Sequence, residues 1–273
     1  MRRTIVPALL AAALAAAVLP GTAAATGQRS DSRLLVLDSN NTLVEGYSLL
    51  PRRTAVKGLA KGEDLIGIDV RPATGALYAM SDRGQLYTVD TRSGKATAIG
   101  AKIALDGRAI GFDFNPTVDR IRLVTERGQN LRLHPDTGAV AGTDGVLAYA
   151  AGDPAAGKTP KVGGSGYTNS VAGATSTVLY NIDSDRDTLV TQGRAPDVSP
   201  NSGQLFTVGR LGIDVTAVHG FDIHPDGTAI AAVSTRVLGL PVGKLVRVDL
   251  STGRARVVAP LLLTSPVGAA FTG

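Results

Sequence analysis

From Leu65 onward the chain alternates short apolar runs with short polar turns. The runs "LIGIDVRP", "ALYAMSD", "QLYTVD" and "KATAIG" are divided by "ATG", "RG" and "TRSG". Runs of this length, bounded by glycine, proline, aspartate, serine and threonine, predict antiparallel strands joined by tight turns. Four such strands between Leu65 and Gly100 describe one propeller blade. The pattern then repeats as "AIGFDFNP", "RIRLVTE" and "NLRLHPDTGAV", and again as "VHGFDIHP", "TAIAAVS", "KLVRVDL" and "RARVVAPL".

One hexapeptide marks the period. Gly67-Ile68-Asp69-Val70-Arg71-Pro72, Gly111-Phe112-Asp113-Phe114-Asn115-Pro116 and Gly220-Phe221-Asp222-Ile223-His224-Pro225 share one grammar; the first two lie 44 residues apart and the third 109 beyond, two such periods with an insertion. A degraded copy reads at Val171-Ala172-Gly173-Ala174, followed by "TSTVLYNID", "DTLVTQG" and "GQLFTVGRL". Residues 150–168, rich in Gly, Pro and Ala, predict a long exposed loop before it. Residues 33–50 supply two strands, "RLLVLD" and "TLVEGYSL", and Pro51, Arg52 and Arg53 a loop. The final "PVGAAFTG" reads as the first strand of a further blade. Joining the two chain ends in one blade removes both exposed edges.

The predicted fold is therefore all-β: a β-propeller of four-stranded antiparallel blades, five in number, its ring closed by the two chain ends. Six blades follow if the 150–168 insertion hides strands, and an open β-sandwich is the rival architecture. Residues 33–273 form the single domain.

The N-terminus obeys a different pattern. Arg2 and Arg3 precede an apolar run from Ile5 to Leu19, Pro20-Gly21 breaks it, and Ala23-Ala24-Ala25 offers a small-residue cleavage site. The run is shorter than the ~20 residues of a membrane span. Residues 1–25 thus read as a secretory signal peptide and 26–32 as a flexible tail. The expected protein is secreted or extracytoplasmic, with no membrane span after cleavage.

Composition narrows the chemistry. The chain has no cysteine, which removes disulfides, thiolate nucleophiles, cysteine metal sites and lipid attachment at cysteine. The formal net charge is +5, two units of it from Arg2 and Arg3, and no basic run appears. Nucleic acid is not an expected partner. Tryptophan is absent and aromatics are 4%, which speaks against stacked sugar recognition.

The strings "GIDVRPATGALYAMSDRGQLYTVD", "GFDFNPTVDRIRLVTERGQNLRLHPDTGAV", "YTNSVAGATSTVLYNIDSDRDTLVTQ" and "HGFDIHPDG" resemble the exported bacterial family called domain of unknown function 4394. The resemblance spans roughly Arg33 to Gly273. It implies an exported, propeller-like protein and no particular reaction, substrate or cofactor.

Several constellations carry candidate chemistry. Asp69, Asp113 and Asp222 recur at one repeat position. On innermost strands they either ring the axis and bind calcium or another divalent cation, or accept backbone N–H groups from a neighbouring blade. His219 stands before Gly220 and joins them as a candidate axial ligand. In the second blade, Arg120 and Arg122 share a strand face, as do Asn130 and Arg132. They form either a forked anion site or an ion-pair lattice with Asp119, Glu126 and Asp136. Tyr167, Thr168 and Asn169 end the insertion and are candidate ligand contacts. Asp183-Ser184-Asp185-Arg186-Asp187 begins like a calcium loop but lacks its later glycine and glutamate. No nucleophile-elbow, zinc-protease or phosphate-loop motif occurs.

The expected function is that of an exported, non-enzymatic scaffold, monomeric and without a predicted cofactor. It binds a small molecule or an envelope or extracellular partner on one face. The alternative is a metal-dependent hydrolase or lyase with an axial carboxylate and histidine site.

Overall fold

The structure is a computed structural model that describes residues 33–46, 51–108, 110–261 and 264–272. The expected signal peptide and tail lie outside the described residues. Strands β1 (Arg33–Asp38), β2 (Thr42–Glu45) and β3 (Arg52–Ala55) begin the fold. The first continuous blade is β4 (Leu65–Val70), β5 (Leu77–Ser81), β6 (Leu86–Val89) and β7 (Ala96–Ile99). The second is β8 (Ile110–Asn115), β9 (Arg120–Thr125), β10 (Asn130–Leu133) and β11 (Val140–Thr143). The third is β13 (Val162–Tyr167), β14 (Leu179–Asp183), β15 (Thr188–Gln192) and β16 (Gln204–Arg210), with the short β12 (Ala148–Tyr149) added in parallel at its outer edge. The fourth is β17 (Ala217–Ile223), β18 (Ala229–Val237), β19 (Leu240–Val248) and β20 (Ala255–Pro260), and β21 (Pro266–Thr272) ends the chain.

Strand β21 pairs with β1, matching Leu34 to Phe271 and Val36 to Ala269. The fifth blade therefore reads β21-β1-β2-β3. The C-terminus supplies its innermost strand and the N-terminus the other three. The five sheets form a five-bladed propeller, as the repeat and the two incomplete ends predict. Among the described residues no helix is long and apolar enough to cross a membrane.

Two expectations need correction. Residues 150–168 are not simply an exposed loop, because they contain β13, the fully buried inner strand of the third blade. The Val171–Ala174 copy is instead part of the connection from β13 to β14. The sequence "VGGSGY" conceals a strand because the blades crowd the axis. A Cβ on Gly164 would stand 2.7 Å from Val218 Cγ1 and 2.9 Å from Phe221 Cβ, closer than real side chains approach. Steric exclusion by the next blade thus removes the alternating apolar signal here. Likewise, Arg52 and Arg53 lie in the outermost strand β3 rather than in a loop. Their exposure on both faces hides the period-2 pattern.

The core sits between blades. Each seam has its own cluster of buried aliphatic and aromatic side chains, such as Tyr78, Met80, Phe112 and Phe114 between blades one and two. The cluster between blades two and three is the smallest of these: Val124 faces Val162, Val190 and Leu205, joined by Leu147, Tyr149 and Ala155.

Candidate functional site

A repeated register places the axial residues. In blades one, three, four and five a β-bulge skips one residue just before a glycine: Ile66, Gly163, His219 and Val267. The glycines that follow let the inner strands approach one another. At their level about 10 Å³ of free space remains, so the axis is closed to anything larger than a single water. The bulge residues, His219 included, line a mouth on one face. Two residues past each glycine, the chain turns a side chain toward the opposite mouth.

That second position holds Asp69, Asp113, Gly166, Asp222 and Ala270 around the ring. The three aspartates are buried. Each spans a seam to the backbone of the next inner strand. Phe114 N donates to Asp69 Oδ2 (2.6 Å), Tyr167 N to Asp113 Oδ1 (2.9 Å) and Phe271 N to Asp222 Oδ2 (2.6 Å). Asp69 and Asp222 also accept the N–H of the following residue, Val70 and Ile223. One carboxylate oxygen from each of the three lies within 4.8 Å of the others. The three aspartates thus stitch neighbouring blades through backbone amides, and one oxygen of each converges with the others at one end of the axis.

Burial sets their electrostatics. Desolvation, with added repulsion from Asp222, holds Asp69 well above its ordinary value. The same causes, with Asp69 and Asp222 as neighbours, raise Asp113. Burial lifts Asp222 to about 6, against the pull of the Phe271 and Ile223 amides.

Asp69 and Asp222 border a concavity of about 380 Å³ at the end of the axis. Its rim carries Arg71, Ser170, Val171, His224 and Phe271. Arg71 is already committed: Nε donates to Asp119 Oδ1 (2.8 Å), and NH1 to Asp136 Oδ1 (2.6 Å) and the Tyr78 hydroxyl (3.3 Å). His224 Nδ1 lies 2.9 Å from Asp226, and its ring meets Phe271 edge-on. With Arg71 and His224 each facing acids of their own, the remaining ionisable groups of this mouth are the Asp69 and Asp222 carboxylates, whose charge when ionised suits a positively charged guest.

His219 lies apart from the aspartates. The convergent group consists of Asp69, Asp113 and Asp222 without it. Its Nε2 is 2.7 Å from Ser234 Oγ, beside a cavity of about 530 Å³ between blades four and five. Burial lowers its pKa, which favours the neutral ring.

Arg122, Asn130, Arg132 and Tyr167 do come together, but around an internal anion. Asp144 accepts from Arg122 NH1 (2.6 Å) and from Arg132 through a fork at 2.8 and 2.9 Å. Arg122, 1% exposed, also donates to Asn130 Oδ1, Asn201 Oδ1 and the Tyr167 hydroxyl. Burial opposes charge on Asp144, yet the Arg132 and Arg122 hydrogen bonds outweigh it and hold the carboxyl below its ordinary value. This network fills the seam where the apolar cluster is small. Arg120 is not part of it and caps the carbonyls of Val118 and Asp119. Thr168 and Asn169 brace the β13–β14 connection through Val178 N and Ser176 O, one step from Ser170 at the acidic mouth.

In the 183–187 segment, Asp183 accepts from the Tyr149 hydroxyl and from Asp185 N. Asp187 accepts from Val215 N. Only the Asp185 contact is local to the β14–β15 turn; the other two tie that turn to Tyr149 and to the stretch before β17. Asp144 and Asn201 carried no sequence signal, because their partners lie 22 and 79 positions away.

The fold and the acidic axial mouth define the class: a five-bladed propeller with three inner-strand carboxylates converging on its axis. The chain belongs to the family described as domain of unknown function (DUF4394), whose model matches residues 43–269. No curated protein matches it. Among solved structures it is similar to a protein of unknown function from Bacteroides caccae (11% identity, 89% of this chain and 99% of that one, TM-score 0.47). It is also similar to one from Bacteroides thetaiotaomicron VPI-5482 (13% identity, 86% and 66%, TM-score 0.48) and to YCF48 bound to D1 peptide (13% identity, 85% and 65%, TM-score 0.38). The chain thus spans just under two thirds of the length of the last two.

Proposed function

We propose that the protein is an exported, monomeric binding propeller that takes a small cationic ligand, an amine in class, at the mouth bordered by Asp69 and Asp222. The observation that carries this reading is the 380 Å³ concavity with two buried carboxylates at its base and Asp113 beside them. A positive guest relieves the mutual repulsion that burial imposes on these acids. Binding then ionises them, so affinity rises with pH through about 6, the value for Asp222. Export rests on the composition of residues 1–25 and localises the binding outside the cytoplasm.

A second reading is favoured by one observation, the 4.8 Å convergence of three carboxylate oxygens: the guest is a divalent cation, the ground on which a hydrolase or lyase would stand. The test uses protein stripped with chelator. Thermal unfolding at pH 8 is followed with 1,4-diaminobutane, with calcium and with magnesium, in the parent and in Asp222→Asn. Stabilisation by the diamine that is lost in the variant supports the first reading. Stabilisation by a metal alone supports the second. No response to any of the three rules out both.

A further inference from the structure

Strands β18 and β19 are the longest among the described residues, nine residues each. The inner strand β17 begins at Ala217, opposite Ser234, and β20 ends at Pro260, opposite Lys244. Beyond those rungs, Thr235–Val237 pair only with Leu240–Val242. A two-stranded ribbon therefore projects past the body of the blade.

Its tip is apolar. Leu238 is 99% exposed, Leu240 68% and Val237 45%. Leu238 and Gly239 turn the chain with φ of +50° and +81°, where hairpins ordinarily use Asn, Asp or Gly at both positions. A leucine here adds backbone strain and exposed apolar surface with no packing inside the fold to compensate. Between Ser234 and Val246 the only charged residues are Arg236 and Lys244.

We infer that this tip docks the protein onto an anionic lipid surface, with Val237, Leu238 and Leu240 entering the interfacial layer and Arg236 meeting the headgroups. The shape selects this occupant. A convex knob of three side chains falls far short of the roughly 800 Å² that each partner contributes to a standard protein interface, whereas a bilayer needs no complementary groove. The two basic residues complement anionic headgroups. The ribbon leaves the face on which the inner strands begin, so docking leaves the acidic mouth on the other face open to solvent. This inference stands independently of the ligand proposal.

The five blades close between Arg33 and Thr272, so protein spanning residues 26–273 carries the whole ring without the apolar N-terminal run. The experiment is co-sedimentation of that protein with vesicles of phosphatidylcholine and phosphatidylglycerol. The parent is expected in the pellet, and Leu238→Ser/Leu240→Ser is expected to partition at least about tenfold less. Its thermal midpoint should match the parent's, which separates lost docking from lost folding. Because the chain has no tryptophan, Leu238→Trp gives a single reporter, expected to blue-shift and to be quenched by brominated lipid. Failure of the parent to sediment, an unshifted reporter, or a concentration-dependent dimer abolished by Leu238→Ser would each overturn the inference.

Discussion

Replacing Asp113 with asparagine is expected to stabilise the ring at neutral pH. Asp69 and Asp222 receive two backbone N–H groups each, whereas Asp113 receives one, from Tyr167. Asparagine keeps that acceptor and sets a donor, rather than a third anion, beside the other two carboxylates. Two charges within 4.8 Å of each other repel by at least about 3 kcal/mol at an effective dielectric of about 20. Burial adds an ionisation penalty of its own: at Asp222, lifted by desolvation from 3.8 to about 6, it is about 3 kcal/mol. For a domain of this size that corresponds to a rise in Tm of roughly 5–10 °C. The pH dependence follows from the direction of the shifts. Below 3.8 the acids are protonated in both the folded and unfolded states and carry no penalty. As pH rises toward 6 and beyond, the unfolded chain ionises freely while the folded ring resists, so the parent loses stability relative to the variant. The assay is the difference in Tm between variant and parent from pH 4 to 8, in chelator. Taking the difference cancels acids held low by their partners, such as Asp226 at about 2, whose contribution is instead lost as pH falls. A variant no more stable than the parent at pH 8, or a difference independent of pH, would refute the reasoning.

Two further substitutions test the seams. Arg122→Met leaves Asp144 with Arg132 alone and strips Asn201 Oδ1 of its Arg122 donor; urea unfolding should show a loss of about 3–5 kcal/mol. A loss under about 1 kcal/mol would mean the network is dispensable. Gly220→Ala drives a Cβ into the backbone nitrogen of Ala269 across the seam between blades four and five, and should cost more than about 3 kcal/mol. The control Gly227→Ala, at φ +86° with nothing near, should cost only about 1 kcal/mol.

The ring was legible because a glycine, an aspartate and a turn proline recur together, and each has a reason at the axis. Glycine permits close approach, the aspartate reaches the next blade, and the proline ends the strand. The inner strand of blade three was hidden for a related reason: where Gly166 replaces the aspartate, crowding has also removed the apolar residues that announce a strand. The β18–β19 ribbon was read only to Ser234 and from Lys244, since "TRVLGLPVG" lacks the alternation of a half-buried strand. The polar residues of blade two were legible as a cluster but not as a seam. Asp144 and Asn201, which complete it, come from the connection after β11 and from the β15–β16 turn, and no local pattern links them to Arg122.

The axial aspartates are only partly explained by stitching. If a carboxylate across each seam were a requirement of the fold, all five would carry one. Gly166 and Ala270 stand at that position in blades three and five, and the seams they face are packed by buried apolar clusters. The ring therefore forms without an inner-strand aspartate at two of its five joints. At the other three, hydrogen bonds to backbone amides offset part of the desolvation cost, yet Asp69, Asp113 and Asp222 all remain raised. Two of the three border the same open concavity. Stability alone would favour relieving that repulsion, and asparagine at 113 does so while keeping the stitch. The retained charge is what the cation-binding proposal accounts for. With a guest bound, the sign of the Asp113→Asn effect should reverse: gain in chelator, loss under saturating diamine or calcium. A gain of equal size under both conditions would leave the acids with no role beyond the joints they span.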